Sequence, residues 1–247
     1  TPLRSSAASD VYKRQFTVNS FSQGSDWKYL FDGKTLNGWH HYNSDEMIEA
    51  WKVENGELVL ISKNDNISRG NDIVTDKSFT DFELSIEWKI PKEGNSGIFF
   101  KVVEIPEVDA PWKTGPEIQV LDNENFCCPN TVFHQAPALY DIKPIGDIKY
   151  NPHGEWNHLL LRVNHKINEG SITFNDEFVY SFPLYGPVWD ELISRSKFSK
   201  DNYYENLFPE HPYFTYAPFF GKFKTGKIGL QDHGYNVRFR NIKIKEL

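Results

Sequence analysis

The sequence predicts an all-β protein, a two-sheet antiparallel jelly-roll sandwich with one short helix. Short β-rich runs alternate with turn clusters from Phe16 onward, aromatic residues make up 15% of the 247 residues while Met occurs once, and a single segment carries helical signals. Rings and β-branched side chains fit a pleated, half-buried surface. One sheet built from this many strands would leave an apolar face in water, so two sheets packed face to face are expected.

Taken in order, residues 1–15 (TPLRSSAASDVYKRQ) are polar, with no apolar period and no hydrophobic stretch of the kind a signal peptide needs. They read as a cloning or sequence-assembly scar, expected to be non-native or disordered. Residues 16–26 follow as a leader or linker, and 27–247 as a single sandwich domain. An extracytoplasmic location (periplasmic, secreted or surface-anchored) is expected, and because a scar can displace a native signal peptide, the lack of one here is not evidence for the cytoplasm. The clearest strand is 82–90, where Phe82, Leu84, Ile86, Trp88 and Ile90 share one face and polar residues the other. Further strands are expected at 57–62, 97–103, 117–122, 156–163, 171–175, 178–182, 227–233 and 237–245. Glu54-Asn55-Gly56, Glu93-Gly94-Asn95 and Asn175-Asp176 supply the turn chemistry between them. The helix is expected at 187–198, with Pro187 at its start, acids in its first turn and bases in its last. The aromatic, Pro-rich insertion at 199–223 has little period, and a loop of that length is more often functional than idle.

Composition excludes several function classes. A net charge of −7 with 27 Lys and Arg against 34 Asp and Glu argues against nucleic acid or an anionic membrane surface as partner. No run of eighteen apolar residues is present to span a bilayer. The two cysteines, Cys127 and Cys128, are adjacent and cannot bridge distant strands. Two thiols, an adjacent-pair disulfide or an intermolecular bridge are all open. No GxSxG elbow, P-loop or GxGxxG supports serine-hydrolase or nucleotide chemistry.

Alternation on 117–122 puts Ile118 and Val120 on one face and Glu117 with Gln119 on the other. On 229–233, Leu230 opposes Gly229, Gln231 and His233, and a glycine there leaves room for a ligand or a second backbone. Each polar face is either simply solvated or a binding surface, and two strands that each pair a Gln with an ionisable group favour the second. Asn95 and Ser96 either complete a turn or touch a ligand, while Phe99 and Lys101 are expected on one face of the strand that follows. His134 and Tyr140 lie on an irregular stretch. Glu117, Asp122, His134 and His233 are the side chains available to a metal ion, without a tight spacing to support one.

Eight phrases occur in order: LFDGKTLNGW at 30–39, WKVENGEL at 51–58, DFEL at 81–84, NSGIFF at 95–100, EIQVLD at 117–122, GEWN at 154–157, IGLQDHG at 228–234 and VRFRNI at 237–242. Together they resemble the 3-keto-disaccharide hydrolase family, with its concanavalin A-like lectin/glucanase jelly roll, from Trp27 to Leu247. The resemblance implies cleavage of glycosides already oxidised to a ketone at C3, by removal of the C2 proton, expulsion of the C1 substituent and later addition of water. It implies Glu117 and His134 as base and acid, and Asn95, Ser96, Lys101, Gln119, Tyr140, Asn157, Gln231 and His233 as substrate-binding groups. Lys101 would supply positive charge near the enolate, or a divalent ion (Ca or Mn) would. The loop at 123–136 and the insertion at 199–223 depart from the family pattern and bear on substrate preference. The competing reading is a non-catalytic carbohydrate-binding module on the same jelly roll, with an adhesion or scaffold domain third. A carboxyl and a His converging in one pocket favour the enzyme; a flat aromatic platform favours the module.

Overall fold

A computed structural model describes residues 26–45, 49–61, 70–126, 131–201 and 215–247. The N-terminal segment expected at 1–15, most of the leader, both cysteines and much of the 199–223 insertion lie outside these residues. Thirteen strands are described: β1 (Lys28–Tyr29), β2 (Trp39–His41), β3 (Trp51–Glu54), β4 (Glu57–Leu60), β5 (Ile73–Thr75), β6 (Phe82–Lys89), β7 (Asn95–Val102), β8 (Glu117–Leu121), β9 (Asn157–Asn164), β10 (Glu169–Phe174), β11 (Glu177–Phe182), β12 (Lys227–Leu230) and β13 (Arg238–Glu246), with helix α1 (Pro187–Arg195) between β11 and β12. No helix among them is long and apolar enough to cross a membrane.

The strands form two antiparallel sheets. The larger runs β11-β10-β9-β6-β13-β4-β3, with β1 added against β13; the smaller runs β2-β5-β12-β7-β8. Strand β6 sits near the middle of the larger sheet, its Phe82, Leu84, Ile86 and Trp88 buried as the alternation predicts. They meet Ile98, Phe100, Ile118, Val120, Ile228 and Leu230 from the smaller sheet in one continuous core. The opposite face of the larger sheet is laced with ion pairs such as Arg240 with Glu87 at 2.7 Å and Arg162 with Glu83 at 3.5 Å. That solvated surface leaves the outer face of the smaller sheet as the place to look for chemistry.

The predicted turns take the geometry their residues favour. Asn175 and Asp176 both have positive φ (47° and 67°) between β10 and β11, and Asn55 (54°) with Gly56 (80°) does the same between β3 and β4. Two central residues with positive φ match the twist of a two-residue hairpin. The helix ends three residues earlier than expected. Ser196 is already extended, with ψ of 165°, and the Lys197 N–H donates to Asp141 Oδ2 at 2.6 Å instead of continuing the helical ladder. This early stop decides where Lys197 goes.

Candidate active site

Register across the smaller sheet builds the site. Val74 pairs with Gly229, Gly229 with Phe99 and Phe99 with Glu117; one step along, Gly97 pairs with Gln119 and the Gln231 N–H donates to the Gly97 carbonyl at 3.0 Å. Paired residues share a face, and the apolar partners Ile98, Ile118 and Leu230 are in the core. Glu117, Gly97, Gln119 and Gln231 therefore belong to the outer face, with Asp72, the residue before β5, next to Gln231 by continuation of the register. A Cβ built on Gly97 would fall within the Glu117 carboxyl, its distance to Cδ being 2.6 Å. The Glu117 side chain thus crosses the gap that this glycine leaves, into the row of Gln119 and Gln231.

The surroundings of that carboxyl are polar but short of partners. Gln119 Nε2 donates to the His134 carbonyl at 3.1 Å, whereas the buried Oε1 atoms of Gln119 and Gln231 have no hydrogen-bond partner among the described residues. A buried acceptor left unpaired is costly and calls for a donor from outside the chain. Sugar hydroxyls are donors of that kind.

Residues 138–140 extend the sheet beyond β8, with the Gln119 N–H donating to Ala138 and the Tyr140 N–H to Glu117 at 2.9 Å. This brings a second cluster to the edge of the site. The rings of His134 and Tyr140 stack with centroids 4.7 Å apart, His134 Nε2 lies 2.9 Å from Asp141 Oδ1, and Lys197 Nζ sits over the Tyr140 ring at 4.1 Å. Lys197 is the residue that sequence reasoning missed, because the helical pattern made it an ordinary base of a last turn.

Burial governs the electrostatics. Glu117 is only 6% exposed, and desolvation holds its carboxyl well above the usual carboxylate range; the Lys197 ammonium pulls it back and Asp72 pushes it further up. Burial lowers Lys197, opposed by Glu117 and Asp141. Asp72 is raised to about 7, chiefly by burial and in part by Asp232, although the Asp232 N–H donates to its Oδ1 at 2.7 Å. Glu117 lines neither of two cavities found among the described residues. One surrounds Lys101, the other Gln135, Ile145 and Tyr150.

Of the expected site residues, Glu117, Gln119 and Gln231 come together, and His134 and Tyr140 join them through the 138–140 edge. Asn95 shares their face by register, opposite Leu121. His233 lies past the end of β12, toward the Asn95 end of β7, with its ring stacked on Tyr235. Three residues go elsewhere. Ser96 points inward and donates to the Gln231 carbonyl at 2.9 Å. Asn157 starts β9 in the larger sheet and is consumed by Asn151 and Asn175. Lys101 does not share a face with Phe99: its φ of 59° marks a bulge, the β12 register slips between Lys227 and Gly229, and it is Val102 that packs with Phe99, Val74 and Tyr42. The space above Gly229 is not open either, since a Cβ there would meet Phe99 at 3.1 Å and Val74 at 3.3 Å.

No three of the four side chains considered for a metal ion converge. Asp122 accepts from the Glu93 N–H and from Asn125, and His134 is held on Asp141. Among the described residues no three His, Cys, Asp or Glu side chains converge in a way that would hold an ion.

Comparison with known proteins bears on the family and the fold. Residues 26–245 match the model of the 3-keto-alpha-glucoside-1,2-lyase-like domain family. A 3-keto-disaccharide hydrolase of Bacteroides thetaiotaomicron is 34% identical over 239 residues, covering 88% of this chain and 77% of that protein. A candidate glycosyl hydrolase from Parabacteroides distasonis superposes with a TM-score of 0.76 at 29% identity, covering 90% of this chain and 94% of the other. A second such protein from the same organism, at 23% identity and a TM-score of 0.64, shares the fold.

Proposed function

Since the chain belongs to the 3-keto-alpha-glucoside-1,2-lyase-like family, we propose that it cleaves glycosides carrying a ketone at C3, with Glu117 and His134 moving the protons. The observation that carries this reading is the buried Glu117 carboxyl lying over Gly97, between two glutamines with unpaired acceptors and beside the Lys197 ammonium. A C3 ketone acidifies the C2 hydrogen, so the site needs a base at C2, a cation or donor at the C3 oxygen and an acid at the glycosidic oxygen.

Each requirement has a candidate. His134, oriented by Asp141, takes the C2 proton. The electrons pass to the C3 oxygen as an enolate, which Lys197 stabilises in the role first expected of Lys101. The enolate collapses, the C1–O bond breaks, and Glu117, kept protonated by burial, gives its proton to the leaving oxygen. The product is a 1,2-unsaturated 3-keto sugar, and adding water across that double bond yields the free 3-keto sugar. A carboxyl that burial favours in its neutral form suits Glu117 to the acid's role. Gln119 and Gln231 accept hydrogen bonds from sugar hydroxyls.

The roles are separable in heavy water. Glu117→Gln should lose roughly 10²-fold or more in aglycone release yet still exchange the C2 hydrogen of a 3-keto-glucoside for deuterium. His134→Ala should lose both. If both variants turn over at the wild-type rate with unchanged melting temperature, neither residue carries the reaction; exchange lost in Glu117→Gln but kept in His134→Ala would reverse the assignment. Sugar binding without aglycone release from any 3-keto glycoside would favour a binding module.

A further inference from the structure

The bulge that removes Lys101 from the Glu117 face delivers it to a cavity of about 300 Å3 between the chain that follows β11 and the chain that precedes β12, lined also by His165, Leu184, Tyr185, Lys222 and Lys224. None of the proposed catalytic groups lines it. From this lining we infer that the cavity is a binding site for a small oxyanion, a carboxylate or phosphate group, independent of the 3-keto-glycoside reaction.

The first support is the Lys101 ammonium. The residue is 2% exposed, and the polar contact described for its Nζ is a 3.4 Å approach to the Leu184 carbonyl. The Trp189 ring lies 5.9 Å from it. No carboxylate pairs with Lys101 among the described residues, although a buried cation is ordinarily paired. Desolvation lowers its pKa to about 8, and an anion would raise it again by offsetting that burial.

The second support is His165, one of whose two ring nitrogens is without a partner among the described residues. Its Nδ1 lies 2.8 Å from Asp81 Oδ1, and that same oxygen accepts the His165 backbone N–H at 2.6 Å. The buried Nε2 has no hydrogen-bond partner among the described residues. Asp81 thereby takes the Nδ1–H, so Nε2 of the neutral ring is an acceptor and turns donor to an oxyanion only once the ring is protonated, which a bound anion would favour. Burial lowers the His165 pKa, Asp81 opposes this, and Lys101 and Lys224 lower it further, so two lysines put positive potential at the ring. Lys222 and Lys224, exposed at the rim, add positive charge at the mouth, although Lys222 also approaches Asp190 at 3.9 Å. Tyr185, parallel to the His165 ring, gives the cavity an apolar wall for the remainder of a carboxylate ligand.

The test is thermal denaturation and Trp fluorescence of the full chain, titrated with inorganic phosphate, acetate and benzoate, each against sodium chloride at matched ionic strength. Binding predicts a saturable rise in melting temperature above the chloride baseline, abolished in Lys101→Met and weakened at least several-fold in Lys222→Gln/Lys224→Gln. The rim pair is a second route should Lys101→Met fail to fold. Preference for phosphate or for benzoate would distinguish the two oxyanion sources. A response no larger than that of chloride, or one unchanged in the rim variant, would overturn the inference.

Discussion

Asp72 shows how the outer face of the smaller sheet tunes its acids. Its carboxyl is raised from 3.8 to about 7 by burial, against the pull of the Asp232 N–H. A raised acid is favoured in its uncharged form on folding, so its contribution to stability is fully present below its unfolded pKa and is lost as pH rises through its folded one. Asp72→Asn keeps the acceptor for Asp232 but cannot ionise. Relative to wild type, its melting temperature should therefore climb between about pH 4 and about pH 8; a difference that stays constant with pH would mean that Asp72 is ionised throughout. At the same scale, the sequence made Glu117 and Gln119 legible because strand alternation places them opposite Ile118 and Val120. It could not reveal Asp72, Asp141 or Lys197, whose positions depend on chain pairing and on where α1 stops.

Strands β7 and β8 hold the carboxyl in place by leaving a gap opposite it. In Gly97→Ala the new methyl would displace the Glu117 side chain from that gap, whereas in Gly229→Ala it would press on Phe99 and Val74. The first variant should lose roughly 10²-fold in turnover on a 3-keto substrate; the second should act mainly on stability, by about 1–3 kcal/mol of overpacking. Steady-state rates and melting temperatures of the pair measure this, and equal losses of both in the two variants would contradict it. Among the elements, long alternating strands such as β6 and β9 were readable, while β1, β2, β3 and β5, of two to four residues each, are too short to show a period. The Lys101 bulge escaped for a different reason. Its signal is Gly226 across the sheet, where a Cβ would collide with the Lys101 backbone, and that glycine is meaningful only once the two strands are paired.

For the whole molecule, two sheets closing on one apolar core follow from the abundance of rings and short strands, and the family resemblance spans nearly the full sandwich. The division of labour between the two outer faces does not follow, since it requires knowing which strands pair: ion pairs cover the larger sheet, whereas the smaller one keeps a buried acid, two unpaired amide oxygens and a lysine together. On this account the arrangement is built for a substrate whose C2 hydrogen has been made acidic, and it should be idle toward the parent sugar. The most direct measurement is aglycone release from a matched pair, an aryl glucoside and its 3-keto form, followed with wild-type protein under identical conditions. Release from the 3-keto form alone, slowed when its C2 hydrogen is replaced by deuterium, is the predicted result. Release from the unoxidised glucoside at a comparable rate, or none from either, would contradict it.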